Sequence, residues 1–120
     1  MIRTNLQRLP SAFWEQLRFT QQSTAEHLYS DLSAAAMRGD SFYFVASAGR
    51  FLTRLCAVLF TINRMFEPSP RRVRDEVLSI PIQPDSFRAN LENFVSEDHG
   101  LSMTQRSELA ELMITSVLSL

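Results

Sequence analysis

The sequence predicts an all-α protein, a five- or six-helix bundle around one central buried helix at about residues 41–66. Apolar residues recur three and four positions apart along most of the chain, the period of helices with one face in a core. Helix-boundary chemistry separates these runs: Gly39, the Pro68-Ser69-Pro70 corner, the Pro81 and Pro84 pair, and a Ser102-to-Gln105 spacing that fits a capping box. Period-two alternation never reaches useful length. Phe42-Tyr43-Phe44-Val45 is the best strand candidate, and the helical pattern runs straight on from it. With 120 residues, 45% hydrophobic and 21% charged, the chain has the size and composition of one globular domain spanning 1–120.

Residues 1–10, with Arg3 and Arg8 and a closing Pro10, read as a flexible lead-in. Ser11 is placed to cap a helix from Ala12, whose first apolar face is Phe13, Trp14 and Leu17. Ser23-Thr24-Ala25-Glu26 has the form of a capping box, so either the chain breaks and restarts at Ser23 or one long helix runs through. Leu28, Leu32, Ala35 and Ala36 continue the stripe, and Gly39 ends it in the left-handed position that suits glycine. Asp40 or Ser41 caps the central helix. Its apolar positions cover most of the circumference between 52 and 62, the mark of a buried helix. Ala46, Ala48 and Gly49 are expected to let a neighbour approach closely.

Beyond the proline corner, Pro70 suits the first position of a short helix to about Ser79, with Val73, Val77 and Leu78 inward. Ile80-Pro81-Ile82-Gln83-Pro84 reads as a stiff extended link. Asp85 is placed to cap a helix through Val95 that turns Phe87, Leu91, Phe94 and Val95 to one face. A loop at Asp98-His99-Gly100 precedes the last helix, with Leu109, Leu112, Met113 and Val117 inward.

Composition excludes several classes. A net charge of −1 provides no global field for nucleic acid. All 12 basic residues are Arg, which removes Schiff-base, P-loop and Ser-Lys chemistry. The single Cys56 forms no disulfide scaffold and reads as a small core residue. Arg50, Arg54 and Arg64 interrupt the apolar stretches short of the roughly 20 residues of a membrane span. The N-terminal residues lack the apolar core of a secretory signal, so the cytoplasm is the expected compartment and no membrane partner is expected. The 2 His, at 27 and 99, are far apart and form no metal-ligand spacing, and no cofactor is implied.

One constellation could bind a ligand. Arg64, Arg71, Arg72 and Arg74 flank the proline corner, where a helix start also points backbone amides. Either an anion docks there, or Glu67, Asp75 and Glu76 neutralise a solvated face.

The stretch from Arg38 to about Val95 also resembles a family pattern. Arg38-Gly39-Asp40-Ser41-Phe42 precedes the long apolar helix through Phe51-Leu52 and Leu59-Phe60. Asn63-Arg64-Met65-Phe66, Pro68, basic residues, Pro81 and Pro84-x-x-Phe87 follow. This is similar to the helical, HEPN-like C-terminal domain of bacterial nucleotidyltransferases of the polymerase-beta-like superfamily. The family often has Lys-Trp after the turn, where this chain has Arg71-Arg72-Val73. The catalytic half of such enzymes carries Asp-x-Asp for two metal ions, and no Asp-x-Asp occurs here. The nuclease branch places a His four to six residues after an Arg, and no such pair is present.

The resemblance implies a non-catalytic substrate-binding or assembly module of a nucleotidyltransferase-like system, not itself an enzyme. Arg64, Arg71 and Arg72 would face substrate or phosphate, with Asp40 and Asn63 as further candidates. Its partner would be a nucleotidyltransferase catalytic domain or subunit. The alternative is a helical dimerisation or adaptor protein without a small-molecule ligand, using Phe13-Trp14-Leu17 or the Leu109–Val117 face for a homodimer. A small nucleic-acid-binding regulator is a third reading.

Overall fold

A computed structural model describes residues 9–96 and 100–120. Among them run five α-helices: α1 (Ser11–Arg38), α2 (Ser41–Ile62), α3 (Val73–Val77), α4 (Phe87–Val95) and α5 (Met103–Leu118). A 3-10 turn, Pro70–Arg72, leads into α3. The described residues include no strand, so the chain is an all-α bundle. The lead-in up to Arg8 and the Asp98-His99 part of the last loop lie outside the described residues.

Helix α1 runs unbroken for 28 residues. The Ser23–Glu26 spacing does not restart it. Thr20 and Thr24 instead donate their hydroxyls back to the Gln16 and Thr20 carbonyls, at 3.1 and 3.2 Å, which keeps them inside the helix. Gly39 ends α1 at φ 70 in a Schellman motif, with Gly39 N–H on Ala36 O and Asp40 N–H on Ala35 O. The chain turns over this corner and Asp40 caps α2, accepting from Tyr43 N–H at 3.0 Å.

Helices α1 and α2 form an antiparallel hairpin. Arg54 donates to Gln21 Oε1 at 2.6 Å part-way along, and Arg64 to Ser11 Oγ at 3.1 Å at the far end. Helix α5 lies against both and runs antiparallel to α1. Tyr29 OH donates to Glu111 Oε2, and Arg18 Nη2 donates to Leu120 O at 2.7 Å. The expected capping box starts α5, with Ser102 and Gln105 exchanging bonds of 3.1 and 2.9 Å.

The central helix differs from expectation in two ways. It ends at Ile62, four residues early, because Arg64 takes φ 54 and closes a second Schellman motif. Its buried ring is also confined to the C-terminal half. Phe51 and the whole run from Leu55 to Thr61 are buried, whereas before Phe51 only Phe44 and Ser47 are. Leu55 and Leu59 retain 1% and 0% of their exposure, as a hub requires. By length and composition Ser41–Ile62 could cross a bilayer, but half of its most apolar window is buried inside this bundle.

Among the described residues Ala46 and Gly49 admit no neighbour: both are exposed, and a methyl group at Gly49 would meet no atom within 4 Å. Asp85 does not cap α4. Ser86 precedes that helix without a side-chain bond, and Val95 and Leu112 turn outward where their spacing had placed them inward.

Candidate functional site

The five candidate residues do not converge. Asp40 caps one end of α2 and Arg64 lies just past the other, with the helix, about 33 Å long at the usual rise per residue, between them. Asn63 is committed to structure. Its Nδ2 donates to Leu59 O and Ile82 O at 2.8 and 2.9 Å, and its Oδ1 accepts from Ile82 N–H at 2.9 Å. That fork ties the proline-bounded link to the end of α2. Arg64 turns toward the start of α1, which has neither an acidic residue in its first turn nor a capping side chain. Arg71 and Arg72 occupy the 3-10 turn, not a helix start. Arg72 Nη2 is 3.2 Å from Glu76, one of the two acids that open the five-residue α3. The internal neutralisation open on sequence grounds is therefore realised at Arg72.

The two expected apolar docking faces are partly used inside the chain. Trp14 is buried, with Phe66 at 5.5 Å and Phe13 at 5.2 Å between ring centroids. This cluster closes the open end of the α1–α2 hairpin. Met113 and Val117 of α5 are core. Among the described residues two buried side-chain groups have no hydrogen-bond partner, Trp14 Nε1 and Arg54 Nε.

A further exposed apolar surface lies along α2. Phe42 is 85% exposed and Val45 71%, and exposed Ala46 and Gly49 continue the same stripe. Alongside it runs a cavity of about 340 Å³ lined by Val45, Ala48, Gly49, Leu52, Phe94 and Val95, among others. A second, of about 330 Å³, continues past Leu52 and Val95 to Cys56, Val73, Val77 and Leu91. Shared Leu52 and Val95 make the two one trough between α2 and α4, rimmed at its far end by Glu67, Arg74 and Glu92. The sequence hid this surface, because apolar periodicity marks a face without saying whether anything covers it.

The trough has little reactive chemistry. Burial pushes the Cys56 thiol up to about 12, and the Glu67 carboxylate adds to the rise. A thiol held neutral is a poor nucleophile and a poor metal ligand. Tyr29, bonded to Glu111 of α5, is raised from 10.0, first by burial and then by the Glu111 carboxylate. Among the described residues no group of three or more His, Cys, Asp or Glu could hold a metal ion. No family model matches this sequence, and neither a curated protein nor a solved structure matches it.

Proposed function

We propose that this chain is a non-catalytic helical assembly module that holds another polypeptide along the exposed face of α2. The observation that supports it is the Phe42–Val45–Ala46–Gly49 stripe with its adjoining trough. A contiguous apolar surface of this kind is the usual mark of an interaction site. Isolated exposed apolar residues such as Phe19 need no such account. The narrower form of the reading, a substrate-binding or assembly half of a nucleotidyltransferase-like system, rests on the family resemblance of residues 38–95. In that form the partner is the Asp-x-Asp catalytic domain.

The test is Val45→Glu, measured by sedimentation velocity over a concentration series and by uptake of the apolar dye bis-ANS. Val45 is largely exposed, so the variant keeps its fold and its helical circular dichroism. An occupied face gives a sedimentation coefficient above the monomer's that falls in the variant. An open face gives dye uptake that falls in the variant. If Val45→Glu changes neither, the assembly reading is wrong.

A second reading keeps one support. The uncapped start of α1, the positive end of its dipole, carries the Arg64 guanidinium, so two positive groups lie together there. An anion docking between them would raise the melting temperature in phosphate, an effect lost in Arg64→Ala and kept in the pair Arg71→Ala with Arg72→Ala, which lie in the 3-10 turn. Equal phosphate responses in all three proteins would dismiss it.

A further inference from the structure

We infer that the partner on this face is a second copy of the chain, its α2 antiparallel to the first, with the two-fold axis between Val45 and Ala46. The inference rests on the assembly reading and names its occupant.

Shape comes first. Phe42 projects from the face, almost wholly exposed, and seven residues later Gly49 opens onto the cavity beside Leu52 and Val95. Seven residues are two helical turns, so projection and opening share one stripe about 10 Å apart. A two-fold axis midway between them brings Phe42 of each copy over Gly49 of the other. An isologous interface needs this self-complementarity: residue i meets j, and j meets i. Ala46, at the crossing, is small enough for the helices to approach closely.

Charge does not oppose this register. Arg50 lies about 80° round the helix from Phe42 and Asp40 about 160°, so neither sits on the apposed stripe. A parallel register would set Phe42 against Phe42 and Gly49 against Gly49, so the fit of projection to opening is antiparallel.

Area fits a reversible dimer. Phe42, Val45, Ala46, Gly49, Leu52, Thr53 and Val95 offer on the order of 500 Å² per chain, with side chains at their usual sizes. Two copies then bury about 1,000 Å², the lower limit of specific interfaces. Dissociation on dilution follows.

The experiment uses the full chain, sedimentation velocity and copper-phenanthroline oxidation of Ala46→Cys and Thr53→Cys. Both positions are exposed, and buried Cys56 serves as the silent background. The antiparallel register places the two position-46 side chains beside the axis and separates the two at 53 by about 22 Å along it. Ala46→Cys should form a disulfide-linked dimer at least ~10-fold faster than Thr53→Cys, from the difference in approach distance. Gly49→Leu, which closes the opening that receives Phe42, should weaken association about 10-fold, and adding Phe42→Ala should restore part of it. Equal cross-linking at 46 and 53, or a Gly49→Leu variant that associates like the wild type, overturns the register. A wild type that stays monomeric at every concentration overturns the self-partner. Dye uptake sensitive to Val45→Glu would then leave the assembly reading standing with a different occupant.

Discussion

Gly39 and Arg64 hold the same place in the two longest helices. Each is the left-handed residue of a Schellman motif, at φ 70 and φ 54. The bonds match as well: Gly39 N–H reaches Ala36 O and Asp40 N–H reaches Ala35 O, as Arg64 N–H reaches Thr61 O and Met65 N–H reaches Phe60 O. Glycine takes this conformation freely, whereas a side chain there costs about 1–2 kcal/mol.

Opposite effects of substitution follow at the two sites. Gly39→Ala should lower stability by about 1 kcal/mol or more. Arg64→Gly should be more stable than Arg64→Ala by about 1 kcal/mol, because both lose the bond to Ser11 and only the alanine variant keeps the strain. Urea unfolding of the three variants measures both differences. Equal stability of Arg64→Ala and Arg64→Gly would remove the strain argument.

The two halves of α2 should respond differently. Leu59, wholly buried, should cost roughly 2–5 kcal/mol when cut to Ala. Phe42→Ala, on the exposed half, should change the unfolding free energy of the dilute chain by no more than about 0.5 kcal/mol. Gly49→Ala should stabilise the dilute chain by about 0.8–1 kcal/mol, since the added methyl finds open space and glycine is the poorer helix former. Denaturant melts below the dimerisation range decide all three.

Cys56 should be silent to thiol reagents at pH 8 in the native chain and react at once in urea. Its native pKa is raised to about 12 from 9.0, so the unfolded state loses the thiol proton first as pH rises. The associated stability is fully present below pH 9 and falls above it, at up to about 1.4 kcal/mol per pH unit from this group. Above pH 9 stability should decline more steeply in the wild type than in Cys56→Ala, the Tyr29 contribution being common to both. Parallel slopes would place the thiol in water.

Asn63→Ala should cost about 1–2 kcal/mol, the net of a fork that water can partly replace at Ile82. Asn63→Asp keeps the acceptor for Ile82 N–H and loses both donors, so it should recover only part of that loss. Amide hydrogen exchange at Ile82 should rise in the alanine variant and stay slow in the aspartate variant, which separates loss of the tether from general destabilisation.

The helices and most of their ends were legible in the amino-acid order. Gly39, Asp40 and the Ser102–Gln105 box act locally, through backbone groups within a few residues, so their chemistry needs no fold to be read. The end of α2 was not legible, because Arg64 breaks the glycine rule for a left-handed cap and no residue type signals it. The role of Asn63 was hidden too, since its fork spans 19 residues of sequence to Ile82. Which apolar faces are covered depends on the packing of the helices in space. Periodicity says which residues share a side of a helix, while burial depends on what stands opposite. Around Leu55 to Thr61 the neighbouring helices complete a ring. At Phe42, Val45, Ala46 and Gly49 nothing among the described residues stands opposite, and one continuous apolar pattern divides into a core and an exposed face.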